Sequence, residues 1–549
     1  MQNIYRAIAL CIAAVTLTGF TSPASTVDAN HSPNEAESAW ASDVPPDIRA
    51  IFDKQLYQNA IWGLRVVDLD SGKVLINLRP NYDFFIGSVR KIFSVGELMN
   101  TVGAKHRSVT PVYRQGKIGN DGVLDGDLIL VASGDLTMRG RTNPDGSIAA
   151  SNFDHNEANS LGNAVLTAPN PLAGYISLAE QIAATGLKRV KGDVIIDDRL
   201  WVPWNFREQF DVSPIFVNDD CVDLMISPGS RSLASVKWRP VSAALHVKST
   251  LAMSGPNTPA TFNLDPELPQ CIGSPGCTAE ITGQLPTDFV PPFTGAFPLV
   301  RTFRIVEPAN YARTVFIEAL IAAGVTVDAA KVAQNPVQRL PAKDSYKNKA
   351  KLAELVSATN AQHAKFILKI SYNIGADSSL VLYGLTQGVD NMPDALAVER
   401  KELTSVYGIP NGAFSFFDGS GGGLTTAKNS AITQWLKIMT KQMDFQSFFN
   451  ALPILGVDGS LAFVSDYKSD STLKGATGKV RAKTGTFAAE SNGQFVLKGQ
   501  AFGGYIDSRS GRHLVYQLAV NEVPIQDINT IVDVFQDQGT ISAILWRDL

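Results

Sequence analysis

Strand-like segments stand near both ends of this 549-residue chain, with a long stretch of different character between them. Near the start, "LRVVDLDSGKVLINL" (64–78) carries two β-rich runs around Asp-Ser-Gly, the pattern of a hairpin. Near the end, "VRAKTGTF" and "QAFGGYIDSRSGRHLVYQLAVN" again read as strands, and "IQDINTIVDVFQDQGTISAILW" has helical spacing. Strands at both ends with helices between them suggest one sheet, closed by the N- and C-terminal segments. The predicted fold class is α+β, an antiparallel sheet with helices. Within its C-terminal part, Asn492-Gly493 is a two-residue hairpin signal.

The middle reads differently. From about 104 to 350 there are many short β-like runs, such as "GVLDGDLILVAS" and "VKGDVIIDDRLWV", punctuated by Pro/Gly-rich breaks. One helix-like segment, "ANYARTVFIEALIAAGV", comes late in this region. The predicted organisation is a discontinuous domain at 36–103 and 351–549. It carries an inserted, mainly-β domain at 104–200 and 300–350, with a second domain, 201–299, nested within that. No fixed-period repeat is present, which argues against a solenoid.

The first twenty residues hold one positive charge, Arg6, and then an apolar run too short to span a bilayer as a helix. Ser22 and Ala24 follow as small residues two apart, so residues 1–24 read as a cleaved secretory signal peptide. The expected location is periplasmic or extracellular, with at most peripheral membrane association. A formal net charge of -4 argues against a nucleic-acid partner. Cys271 and Cys277 flank a Gly-Ser-Pro-Gly turn in "QCIGSPGCT", and export would let a bond between them persist. That leaves Cys221 as a buried thiol. The six histidines are scattered without metal-ligand spacing, so neither a metal nor a cofactor is expected.

Ser88 stands three residues before Lys91, where an apolar, helix-spaced run begins in "FFIGSVRKIFSVGELMN". Serine is a preferred helix cap, and the pattern recurs at Ser465/Lys468 and Ser471/Lys474. Alone it decides nothing. Two later elements add weight: Ser371-Tyr372-Asn373, between helical stretches, and Lys483-Thr484-Gly485, on a strand. The other two Ser-x-x-Lys pairs follow the Ser-x-Asn triplet, in a charged segment that reads as loop.

The chemistry accounts for the spacing. Positions i and i+3 share a helix face, so Lys91 Nζ can reach Ser88 Oγ. A lysine is a base only when neutral, and burial beside a second cation, here Lys483, favours loss of its proton. The helix N-terminus suits an oxyanion. Ser371 could relay a proton to the leaving amine, and Asn373 could hold the substrate amide. A strand bearing Lys483, Thr484 and Gly485 offers backbone groups to an extended peptide, while Thr484 and Lys483 suit a terminal carboxylate.

These three motifs, in this order and on these elements, resemble those of penicillin-binding proteins and class A β-lactamases. About 280 residues separate Ser88 from Ser371, far more than class A β-lactamases or the smaller carboxypeptidases have. The chain therefore resembles the D-alanyl-D-alanine carboxypeptidase/endopeptidase type with large inserted domains. "GDLTM" (134–138), "VKGDVIIDD" (190–198), "DGSGGGLT" (418–425) and "LPILGVDGSL" (452–461) carry the likeness further. The resemblance implies a penicillin-binding-protein/β-lactamase-like transpeptidase domain acting on peptidoglycan stem peptides and acylated by β-lactams. It implies Ser88 as nucleophile and Lys91 as general base, with Ser371, Asn373 and Lys483 completing the relay and clamp. The backbone N–H groups of Ser88 and Thr486 would form the oxyanion hole. Arg90 and Tyr372 depart from the pattern: Arg90 puts a charge inside the first motif, and Tyr372 would narrow the cleft. Two other readings stay open, a β-lactamase or esterase on the same fold and a non-catalytic wall-binding module.

Overall fold

The β-rich runs at the two ends meet in one antiparallel sheet. The computed structural model describes residues 43–346, 350–491 and 493–549, so the expected signal peptide, 1–24, and Asn492 lie outside the described residues. The chain divides into two units. One takes the residues up to Asn100 with 367–377 and 396–549; the other takes 101–366 and 378–395.

The first unit is built, in chain order, from helix α1 (Pro46–Phe52), strands β1 (Ile61–Asp68) and β2 (Val74–Leu78), and helix α2 (Lys91–Val102). The chain returns at the end of α3 (Asn360–Ile370) and the start of α4 (Asn373–Thr386), and then forms α5 (Asn429–Met439). Four strands, β3 (Val480–Ser491), β4 (Gln494–Asp507), β5 (His513–Asn521) and β6 (Val523–Pro524), precede α6 (Ile528–Asp548). The sheet order is β2-β1-β5-β4-β3, with β6 paired to the far end of β4. Leu64 of β1 lies opposite Leu518 of β5, which locks the N-terminal hairpin onto the C-terminal strands. Strand β5 is buried at every position after His513, as expected of a central strand covered on both faces.

Each face has its own cover. Ile48 and Phe52 of α1 and Val534, Phe535 and Leu545 of α6 pack with Leu64, Phe502 and Leu518 in one apolar core. Asp527 caps α6, its Oδ1 accepting from Asn529 N and Thr530 N. On the other face, the Tyr505 hydroxyl donates to Leu436 O of α5, and Trp435 stacks on Phe93 of α2 at 5.3 Å. The β3–β4 hairpin narrows to a Ser491–Gln494 pair, with Gly493 at φ +75°. Its far part is no loose insertion, because Leu497 is buried and pairs with Val523 of β6.

The second unit holds a mixed six-stranded sheet, a three-stranded sheet and a four-stranded sheet. Strand Lys351–Val356 pairs with Val109–Ile118, which draws residues after 350 into this unit rather than the first. The helix-like segment "ANYARTVFIEALIAAGV" forms Pro308–Ala322. A second helix, Ala173–Ala184, was not anticipated from the β-like runs around it. It packs Tyr175, Leu178 and Ile182 into a core shared with Leu128, Val194 and Phe316. Cys271 and Cys277 form a disulfide, and Cys221 is a buried free thiol whose pKa burial pushes up. Among the described residues no helix is long and apolar enough to cross a membrane.

Candidate active site

Ser88 sits in a single 3-10 turn, Gly87–Arg90, that leads straight into α2 at Lys91. A 3-10 turn has three residues per turn, so side chains at i and i+3 eclipse. The eclipsed pair here is Ser88 and Lys91, and Lys91 Nζ lies 2.5 Å from Ser88 Oγ. The expected helix N-terminus is thus a tighter turn, which directs the lysine more closely onto the serine. Lys91 is fully buried, and its Nζ also donates to Asn373 Oδ1 at 2.7 Å and Ser420 O at 2.8 Å.

These three oxygens suit a group that must hold and release a proton. Asn373 Oδ1 and Ser420 O can only accept, whereas the Ser88 hydroxyl can donate or accept. An ammonium donates to all three. A neutral amine donates to the two carbonyl-type oxygens and accepts from Ser88. Both protonation states are hydrogen-bonded without moving a heavy atom.

Ser371 joins α3 to α4 in a left-handed conformation, φ +62°. Tyr372 N donates to Ile367 O across it, the bond of a Schellman helix end, where glycine is the usual residue. Lys483 Nζ lies 2.9 Å from Ser371 Oγ and 2.7 Å from Thr484 O. The Thr484 hydroxyl donates to Ser460 Oγ at 2.7 Å, and that of Thr486 to Gln500 Oε1 at 3.2 Å. With its side chain engaged inside the sheet, Thr486 has its backbone to offer.

Strand β3 is the sheet's last strand, so alternate backbone groups face away from β4. It runs hard against the Ser88 turn. A Cβ at Gly485 would lie 1.9 Å from Ile86 O and 2.8 Å from Ser88 N, so only glycine allows this approach. The hydrogen bonds make two sets, Ser88–Lys91–Asn373 and Ser371–Lys483–Thr484, joined through the Ser371–Asn373 turn and this strand contact. Ser465 and Ser471 are exposed. Tyr372 is buried.

Sequence reasoning did not single out Ser420, Ser460 or Lys369. Lys369 Nζ donates to Leu452 O and Asp458 Oδ1, tying down the segment that carries Ser460. The signal was the glycine-rich spacing of "DGSGGGLT" and "LPILGVDGSL", which marks close backbone approach without naming the contacting atom.

The chain matches the model of the D-Ala-D-Ala carboxypeptidase 3 (S13) family over residues 47–538. It belongs to that family. This S13 chain is 25% identical over 519 residues to the D-alanyl-D-alanine carboxypeptidase of Actinomadura sp. (strain R39), covering 87% of this chain and 81% of the relative. Its fold is that of penicillin binding protein 4 from Haemophilus influenzae, with a TM-score of 0.65 at 15% identity, over 91% of this chain and 99% of that one. The same protein complexed with a β-lactam gives a TM-score of 0.63 at 16% identity, with the same coverage. The S13 chain is a serine D-Ala-D-Ala carboxypeptidase of mixed α+β fold, and the match spans both of its units.

Proposed function

We propose that Ser88 is the acylated nucleophile of a peptidoglycan D-Ala-D-Ala peptidase and that Lys91 is its general base. The observation that carries this is the Lys91 Nζ–Ser88 Oγ contact, beside which the amine also donates to two oxygens that can only accept. In the acylation step Ser88 Oγ attacks the carbonyl carbon of the penultimate D-alanine and passes its proton to Lys91. Charge on the substrate oxygen falls to the N–H groups of Ser88 and Thr486. Collapse breaks the peptide bond, and the proton taken by Lys91 passes by way of Ser371, beside Lys483, to the leaving amine, which returns Lys91 to its neutral form. Water then hydrolyses the ester and frees Ser88. Asn373, whose Oδ1 accepts from Lys91, would hold the substrate amide. Thr484, Gly485 and Thr486 line the strand along which an extended peptide would lie.

A β-lactam would acylate the same serine. Intact-mass analysis after penicillin treatment should show one adduct, lost in Ser88→Ala and kept in Ser465→Ala and Ser471→Ala. An adduct that persists in Ser88→Ala overturns the assignment. Release of free D-alanine from a pentapeptide separates the peptidase from a β-lactamase, and cleavage of a cross-linked muropeptide dimer separates endopeptidase from carboxypeptidase. Action on the cell wall also implies export through the segment 1–24; an intact N-terminus on protein recovered outside the cytoplasm would sink that part. We further infer that residues 201–299 form a nested module, supported by the four-stranded sheet they build and by the disulfide within them.

A further inference from the structure

Arg90 lies between the proposed nucleophile and base, and it is fully buried. Its NH1 and NH2 form a fork on Glu399 Oε1 and Oε2 at 2.9 and 2.6 Å. Its guanidinium also lies 4.1 Å over the Phe416 ring. A buried ion pair of this kind is weak evidence of net stabilisation, because desolvation offsets the attraction. A second role is indicated by the Nε–H of the guanidinium.

Arg90 Nε donates to Asp418 O at 2.8 Å. Asp418 heads a tight turn: its Oδ1 accepts from the N–H groups of Ser420, Gly421 and Gly422, and its Oδ2 from the Ser420 hydroxyl. Ser94, one turn along α2, donates to Gly419 O in the same segment at 2.7 Å. From this turn the Ser420 carbonyl reaches the reacting centre, where it accepts from Lys91 Nζ. A neutral amine has two N–H bonds and one lone pair. With Asn373 Oδ1 and Ser420 O taking the two N–H bonds, the lone pair is left facing Ser88 Oγ. If the Ser420 carbonyl drifts, Nζ can rotate and the lone pair leaves that line.

We propose that Arg90, forked on Glu399, is a positioning residue that fixes the Ser420 carbonyl and through it the lone pair of Lys91. The proposal rests on the reading of Ser88 and Lys91 as nucleophile and base. Lysine cannot replace Arg90 here, because a point charge cannot form the fork and reach Asp418 O together.

Acylation by a fluorescent penicillin, followed by rapid mixing in the full chain, separates the covalent rate constant from non-covalent binding and from the burst amplitude. The Arg90→Met/Glu399→Met variant replaces the buried pair with apolar side chains, an exchange that folds often tolerate. Its covalent rate constant should fall about 10- to 100-fold, the range expected for a sub-ångström to 1 Å misplacement. Binding and burst amplitude should stay near wild type, and Arg90→Lys should fall between. A loss of folded protein would lower the amplitude and leave the rate constant alone. A rate constant within about twofold of wild type in the double variant, or in Arg90→Lys should the double variant not fold, overturns the proposal. Wild-type protein that takes no label at all overturns the functional reading beneath it instead.

Discussion

Two buried networks in this chain treat charge in opposite ways. In the second unit, Arg141 forks on Asp154 at 2.7 and 2.8 Å and donates to Asp219 at 2.5 Å. His155 lies between Asp223 at 2.6 Å and Asp219 at 3.0 Å, and Arg239 donates to Asp223. Each of these cations meets carboxylates, and protonation there is pinned. Burial would lift the Asp154 carboxyl, but Arg141, His155 and the bond from Asn156 together outweigh it and hold it at about 2. In the first unit, Lys91 and Lys483 meet hydroxyl, amide and carbonyl oxygens. A neutral oxygen accepts from an ammonium or an amine alike, so these bonds survive loss of the proton. Arg90 and Lys91 show both kinds of partner within one turn: Arg90 is forked on the Glu399 carboxylate, and Lys91 donates to Asn373 Oδ1 and Ser420 O. Burial by itself therefore marks neither structure nor chemistry; the partner's charge separates them.

The largest test swaps one kind of cation for the other. Lys91→Arg keeps charge and much of the bulk but cannot give up its proton. Penicillin acylation should fall on the order of 10³-fold, within the range that general base catalysis supplies. Acylation near the wild-type rate would remove Lys91 from the role of base. The second test breaks the pinned network. Asp154→Asn leaves Arg141 short of a carboxylate and should destabilise the fold by about 3–5 kcal/mol in urea. The fraction still folded should acylate at an unchanged rate. A fall in that rate matching the fall in stability would mean that the two networks are not separable.

How much of this was legible follows the same division. The sheet could be read because β1, β4 and β5 carry long β-patterned runs, and α6 because its apolar spacing is helical. Ser88, Lys91, Ser371, Asn373 and Lys483 could be named because their chemistry lies in side chains at fixed spacings. Ser420 acts through a backbone carbonyl, which any residue supplies, so its letter carries no signal. Arg90 was visible only as a departure, since its partner Glu399 is 309 positions away. The charges around His155 come from segments near 141, 154, 219 and 239, and only the folded chain brings them together.

A smaller effect is set by pH. Burial alone would lower the His155 pKa, but Asp223 and the bonds to Asp219 and Asp223 outweigh it and raise it to about 9. That lies above the unfolded value of about 6.5, so this stability is complete below pH 6.5 and is lost as pH rises through about 9. Asp220, lifted by burial to about 8, also loses stability as pH rises, mostly below pH 8, and adds a smaller share above it. Between pH 8 and 9 the urea stability of the wild type should fall by about 1 kcal/mol. His155→Gln should lose most of that slope. An equal slope in both proteins would mean that His155 is not the group titrating.

The smallest effect isolates the strain at Ser371. A non-glycine residue in the left-handed region costs about 1–2 kcal/mol, while a glycine there loses about 0.5–1 kcal/mol through the freedom it gains when unfolded. Ser371→Gly should therefore stabilise the protein by roughly 0.5–1 kcal/mol. Ser371→Ala, which keeps the Cβ, should show no such gain. Both variants remove the hydroxyl that Lys483 touches, so both should lose D-alanine release by on the order of 10²-fold. The two variants thus share one chemical loss and differ in backbone relief alone. A glycine variant no more stable than the alanine variant would show that the helix end bears no strain, and serine would then hold this position without any energetic conflict with the fold. A stable glycine variant that keeps full activity would instead remove Ser371 from the proton path and leave Lys483 to serve the leaving group directly.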